Sequence, residues 1–106
     1  MPDTVEIEDI DSLRRQSGVD DVELRDEIRG LHAGDLVKIT FRSSAKPSAP
    51  ETLPVRITSV RGERFRGALA RQPASAALAG LAVGEPVAFT ACHIHSILRR
   101  GGPRGE

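Results

Sequence analysis

The run Cys92, His93, Ile94, His95 holds metal-ligand residue types in the closest spacing in this chain, together with its one thiol. Read as a strand, it places His93 and His95 on one face and Cys92 and Ile94 on the other, so one ion could meet both imidazoles but not the thiol. A tetrahedral site would need further ligands, and the remaining histidine is His32, with Asp35 or Glu85 as candidate carboxylates. The spacing is not that of a zinc finger, and the expectation is solvent-facing histidines beside a half-buried thiol, with no metal and no cofactor. Cys92 as a nucleophile would need a base from elsewhere in the fold, because neighbours on a strand point apart. The paired carboxylates Asp20, Asp21 and Asp26, Glu27 fall in a charged helical stretch, where capping and solvation explain them more simply than general acid–base work in a cleft. No phosphate loop, dinucleotide fingerprint or nucleophile elbow occurs, and the expectation is a protein that is not an enzyme.

The strongest candidate surface is basic. Arg56, Arg61, Arg64 and Arg66 surround a predicted hairpin, with Arg71 just beyond. Guanidinium groups there could track carboxylates or phosphates, or serve solubility alone. The aromatic residue interleaved with them, Phe65, is placed inward by parity, and with three phenylalanines and no tryptophan or tyrosine the chain offers no platform for stacking bases.

Charge is divided along the sequence, although it sums to zero. Residues 1 to 30 carry ten acids against four arginines, and residues 31 to 106 carry eleven bases against five acids. One reading lays the acidic arm on the basic body so that the two fields offset. The other leaves a basic face free for an acidic partner, with the arm competing for it.

These residues must be positioned by a small β-rich domain. The pattern Leu-x-x-Gly-acid-x-Val occurs at Leu31, Gly34, Asp35, Val37 and again at Leu81, Gly84, Glu85, Val87. Each copy runs into alternating apolar positions, Val37, Ile39, Phe41 and Val87, Phe89, Ala91. The spacing predicts a glycine turn leading into a half-buried strand, with Asp35 and Glu85 as turn residues.

Strands are predicted over 36–42, 53–61, 65–70 and 86–92, followed by an apolar segment at Ile94, Ile97 and Leu98. Val60 breaks the parity of Val55 and Ile57, which predicts a bulge. Gly67 in mid-strand predicts a bend or a close backbone approach. Residues 43–50 read as a mobile loop, and 72–80 as a loop with one helical turn begun by Pro73 or Ser75.

Upstream, 1–8 reads as a short strand or a loose end. A first helix runs from an Asp9 or Asp11 cap to Gly18, and a second from an Asp20 or Asp21 cap through Leu24, Ile28 and Leu31. The sum is an α+β protein: two short N-terminal helices followed by a small, strongly bent antiparallel sheet or partly open β-barrel of four to five strands. Residues 1–30 form an acidic helical arm, 31–98 a β-rich domain and 99–106 a flexible tail.

With one cysteine and no long apolar run, the chain reads as cytoplasmic, with no membrane partner. Its Ala, Arg and Gly usage hints at a GC-rich bacterial genome.

The order of strand signals from Gly34 to Leu98 resembles the uncharacterised bacterial family called domain of unknown function 2314. Gly34, Asp35, Val37, Lys38 and Phe41 match its first element, and Glu51, Val55, Val60, Phe65, Gly67, Leu69 and Pro73 follow. Gly84, Glu85, Val87, Phe89 and Ile94 close the match. Pro54 and Ile97 stand where the family has tryptophan, and Arg71 and Ser96 where it has asparagine and aspartate. The resemblance implies a fold and transfers no activity.

The functional expectation is a small domain acting through protein contacts, with an accessory or immunity-type role and a protein partner or a second copy as its target. The alternatives are nucleic-acid binding through Arg56, Arg61, Arg64, Arg66 and Arg71, and a metal-dependent activity at His93 and His95.

Overall fold

A computed structural model describes residues 4–18, 22–45 and 49–99. The chain forms β1 (Val5–Ile7), α1 (Ile10–Gln16), α2 (Val22–Arg29), β2 (Leu36–Ser43), β3 (Glu51–Arg61), β4 (Arg64–Leu69), β5 (Pro86–Thr90) and β6 (Ile94–Arg99). Short 3-10 turns at Ala76–Leu78 and Ala91–His93 precede and follow β5.

All strand pairs are antiparallel, in the order β1-β2-β3-β4-β5. The far edge of β2 is shared: β6 pairs with its Leu36–Ile39 half and β1 with its Phe41–Ser43 half. The 3-10 turn Ala91–His93 carries the chain from β5 at one end of the sheet to β6 beside β2. The sheet therefore curls into a nearly closed barrel whose unpaired seam lies between β5 and β6. This is the α+β architecture expected from the sequence, with six strands where four to five were expected.

Alternation decides which side chains enter the barrel. Val37, Ile39 and Phe41 of β2, Leu53, Val55 and Ile57 of β3, Phe65 and Leu69 of β4, and Val87 and Phe89 of β5 are buried. Phe65 and Phe89 stack with ring centroids 5.3 Å apart. The parity change at Val60 is a bulge, located between Ile57 and Ser59, after which Val60 faces Phe65 across the hairpin.

Gly67 is a close approach. A Cβ there would lie 2.5 Å from the Arg56 carbonyl oxygen and 2.7 Å from a Val55 methyl.

The repeated Leu-x-x-Gly-acid-x-Val is one device used twice. Gly34 (φ 100°) donates its N–H to the Ile57 carbonyl at 2.8 Å, and the Ile57 N–H returns to the Asp35 carbonyl at 2.9 Å. Gly84 (φ 92°) and Glu85 make the same pair of bonds with Leu69, at 2.8 and 2.9 Å. Each copy fastens a strand start onto its neighbour, and Leu31 and Leu81 are both buried beneath. The side chains differ. Asp35 is fully buried and accepts the His32 N–H at 3.0 Å, while Glu85 is only half-buried.

Both helices form where expected. Asp9 caps α1 through the Ser12 N–H at 2.9 Å, and Gly18 ends it at φ 76°. The proposed caps Asp20 and Asp21 lie outside the described residues, as do parts of the 43–50 loop and the tail beyond Arg99. The helices bury Ile10 and Leu24 and pack beside β6 and the Ala91–His93 turn. The helical turn expected in 72–80 is Ala76–Leu78, capped by the Ser75 hydroxyl. Its connection is pinned by Glu51, whose carboxylate accepts the N–H groups of Ala74 (2.9 Å) and Ser75 (3.0 Å).

One expectation is corrected. The strand expected over 86–92 ends at Thr90, and Cys92 and His93 lie in the 3-10 turn. The alternation that would place His93 and His95 on one face therefore does not apply, because the bend resets side-chain direction between them. The arm does lie on the body, and ion pairs of its carboxylates run both within the arm, Asp11 to Arg15 (3.6 Å) and Arg25 (3.7 Å) and Asp26 to Arg29 (3.2 Å), and to the body, where Glu6 (2.7 Å) and Glu8 (3.7 Å) meet Arg42. Among the described residues none reaches the hairpin arginines, because the helices pack on the β6 side of the barrel.

Candidate functional site

Strand parity that sends Phe65 inward sends Arg64 and Arg66 outward, and the register of the hairpin supplies their neighbours. Arg64 lies between Arg61 of β3 and Thr90 of β5, and Arg66 between Ser59 and Ala88. Two rows thus cross three strands on the outer face: Arg61, Arg64, Thr90 and Ser59, Arg66, Ala88. With His93 at one end, these residues line a shallow groove of about 630 Å³. Phe65 and Phe89, which alternate with these residues along β4 and β5, also border it.

All three arginines are exposed, and among the described residues no carboxylate lies within ion-pair distance of them. The nearest acid in sequence, Glu63, lines a second concavity beside the helices. Like charges directly across a ladder oppose pairing, by a few tenths of a kcal/mol at an exposed site. Arg61 and Arg64 form such a pair with no acid to relieve it.

The five arginines singled out from the sequence therefore separate. Arg61, Arg64 and Arg66 converge. Arg56 shares their outer face but sits further along β3, opposite Ala68, and its guanidinium donates to the Gly34 carbonyl at 3.3 Å. Arg71 lies in the bend beyond β4, at the end remote from the hairpin tip.

Ser59, Ala88 and Thr90 are groove residues that the sequence did not single out, and it singled out His93 for metal binding rather than for this face. Ala88 and Thr90 alternate with the inward Val87 and Phe89, so their outward direction was available from the pattern. Their apposition to Arg66 and Arg64 required the β4–β5 register.

His93 is held by its own turn. Its Nδ1 accepts the Thr90 N–H at 3.0 Å, which leaves the proton of the neutral ring on Nε2. Desolvation lowers its pKa, partly opposed by the Asp9 carboxylate. The pKa of His95 is also lowered, first by desolvation and then by the Arg14 and Lys38 charges; its Nδ1 meets the Ser96 hydroxyl at 3.1 Å. Among the described residues no group of three or more His, Cys, Asp or Glu is placed to hold a metal ion.

The second concavity, about 210 Å³, lies between the helices and the Ala91–His93 turn, lined by Arg14, Leu24, Arg25, Ile28, Cys92 and Ile94 among others. Its cations already serve the fold. Arg14 donates to the His95 carbonyl at 2.7 Å, and Arg25 faces Asp11. Cys92 is half-buried there, with a free thiol.

The arrangement at the hairpin can bind extended anionic groups: three guanidiniums on one face, two of them at the i, i+2 spacing of a strand. No described helix is long and apolar enough to cross a membrane. No protein-family model, curated protein or solved structure matches the chain.

Proposed function

We propose that this chain is a non-enzymatic binding domain that docks an acidic protein surface on the outer face of the β3–β4 hairpin, through Arg61, Arg64 and Arg66. The observation that carries this reading is the set of three exposed, convergent guanidiniums without a carboxylate partner among the described residues. Other exposed arginines, such as Arg15, Arg29 and Arg42, each have one. Ion pairs at the fold's own surface add little stability, but a cluster of one sign steers an oppositely charged partner and fixes its register. The resemblance to domain of unknown function 2314 and the composition support a bacterial, cytoplasmic setting. An accessory or immunity-type role suits such a domain.

The experiment is a pair of titrations by fluorescence anisotropy, one with a labelled polyglutamate peptide and one with a labelled single-stranded oligonucleotide. Each is run at low and moderate salt against the wild type and the double variant Arg64→Glu, Arg66→Glu. Preferential, salt-sensitive binding of polyglutamate that the double variant loses supports the proposal. Preferential binding of the oligonucleotide assigns the face to nucleic acid instead. No binding of either removes both readings.

A further inference from the structure

We infer that the acidic partner binds as an extended segment that adds a strand to the open edge of β5 at Ala88, with carboxylates at alternate positions facing Arg64 and Arg66. This rests on the reading of the arginine face as a docking site and specifies the mode of docking.

The direction of the β5 backbone follows from the bonds flanking it. Leu69 donates its N–H to the Glu85 carbonyl at 2.9 Å, and Ala91 donates to the Glu63 carbonyl at 3.1 Å. In an antiparallel ladder, bonded positions alternate, so residues 85, 87, 89 and 91 present their N–H and C=O groups to β4. Residues 86, 88 and 90 present theirs to the other side. Among the described residues β5 pairs with β4 alone, so that other side is an open edge.

The edge is guarded at both ends. Pro86 has no N–H to offer, and the Thr90 N–H is taken by His93 Nδ1. One complete donor and acceptor pair remains, at the exposed Ala88. Such blunting protects a strand edge from indiscriminate pairing. It also limits an incoming strand to one full backbone rung, so charge must supply the rest of the recognition.

The outer face meets that need. A strand added beside β5 lies about 9.5 Å from β4, two strand spacings away, with only Ala88 and Thr90 between. Ala88 is small, so glutamate and arginine side chains can meet above it. Successive outward residues of an extended segment are about 7 Å apart, the same period that separates Arg64 from Arg66. An acid-x-acid pattern therefore matches the two guanidiniums in register, while backbone bonds to Ala88 set the segment's position.

Proline at 88 tests this cleanly, because the N–H it removes belongs to no bond of the barrel and edge strands accept proline at such positions. The probes are two capped decapeptides of five glutamates and five threonines, one alternating and one in which the glutamates stand singly or in adjacent pairs so that no two are two residues apart. Wild type is expected to bind the alternating peptide about tenfold more tightly, and Ala88→Pro to lower that affinity to the level of the other isomer. Should Ala88→Pro fail to fold by circular dichroism, the alternating peptide N-methylated at alternate backbone positions replaces it, against wild type, with the same loss expected. Equal affinities for the two isomers, or no effect of Ala88→Pro or N-methylation, would overturn strand addition and leave docking on the arginine face standing. Binding that ignores Arg64→Gln and Arg66→Gln would overturn both.

Discussion

Arg61 stands directly across from Arg64 at the tip of the β3–β4 hairpin, two cations on one rung with no described carboxylate near enough to pair with either. That juxtaposition works against the hairpin and is retained at its most exposed point. Replacing Arg64 by glutamine should therefore leave stability unchanged or raise it by about 0.2–0.5 kcal/mol at low salt, with the gain shrinking as salt screens the pair. The same variant should bind polyglutamate more weakly. Urea unfolding at two salt concentrations, beside the anisotropy titration, checks both halves.

Gly67 should tolerate nothing larger. The space a Cβ would need is occupied by the Arg56 carbonyl and a Val55 methyl, both fixed within β3. Gly67→Ala is expected to cost about 2 to 3 kcal/mol as the two strands are forced apart. A lowered denaturant midpoint with an unchanged slope is the expected signature.

The two copies of the glycine turn should respond differently to loss of their acids. Asp35 is fully buried and accepts the His32 N–H, so Asp35→Ala removes that bond and leaves a void in a buried site, and should cost about 2 kcal/mol. Glu85 is only half-buried and its backbone bonds survive in alanine, so Glu85→Ala should cost less, about 1 kcal/mol or under. Equal effects of the two substitutions would contradict this asymmetry.

His93 should make the fold acid-sensitive. Its folded pKa is lowered relative to the ordinary histidine value of about 6.5, chiefly by desolvation. The unfolded chain therefore binds the proton first, and stability present above about pH 6.5 falls as pH drops through the window below it. His95 adds in the same direction. Protonation of His93 at Nδ1 also breaks its bond to the Thr90 N–H. Glutamine keeps an acceptor three residues after Thr90 and does not titrate. His93→Gln should match the wild type at pH 8 and lose less stability at pH 5, measured by thermal unfolding across that range.

Much of the barrel was legible because its strands are half-buried and alternate cleanly, as at Val37, Ile39, Phe41 and at Val87, Phe89. The parity break at Val60 and the glycine at 67 each marked a real irregularity. The turn at Ala91–His93 was not legible: Ala91 extends the i, i+2 apolar set of Val87 and Phe89, and no glycine or proline marks a break before Ile94. The bend exists because β6 closes onto β2, a contact far away in sequence. The site was half legible for the same reason. Clustered arginines pointed to the hairpin, but only register separates Arg61, Arg64 and Arg66 from Arg56 and Arg71, and brings Ala88, Thr90 and His93 beside them. The placement of the acidic arm likewise followed from packing of Ile10 and Leu24 rather than from net charge.

The central claim is that an acidic partner docks on the outer face of β3, β4 and β5, and backbone amide shift mapping by NMR during titration with a polyglutamate peptide tests it most directly. Saturable shifts are expected at Ser59, Arg61, Arg64, Arg66, Ala88 and Thr90, with little change at Arg14, Arg25 and Cys92 in the second concavity. Shifts centred on that concavity or on Arg42, with the hairpin unmoved, would contradict it.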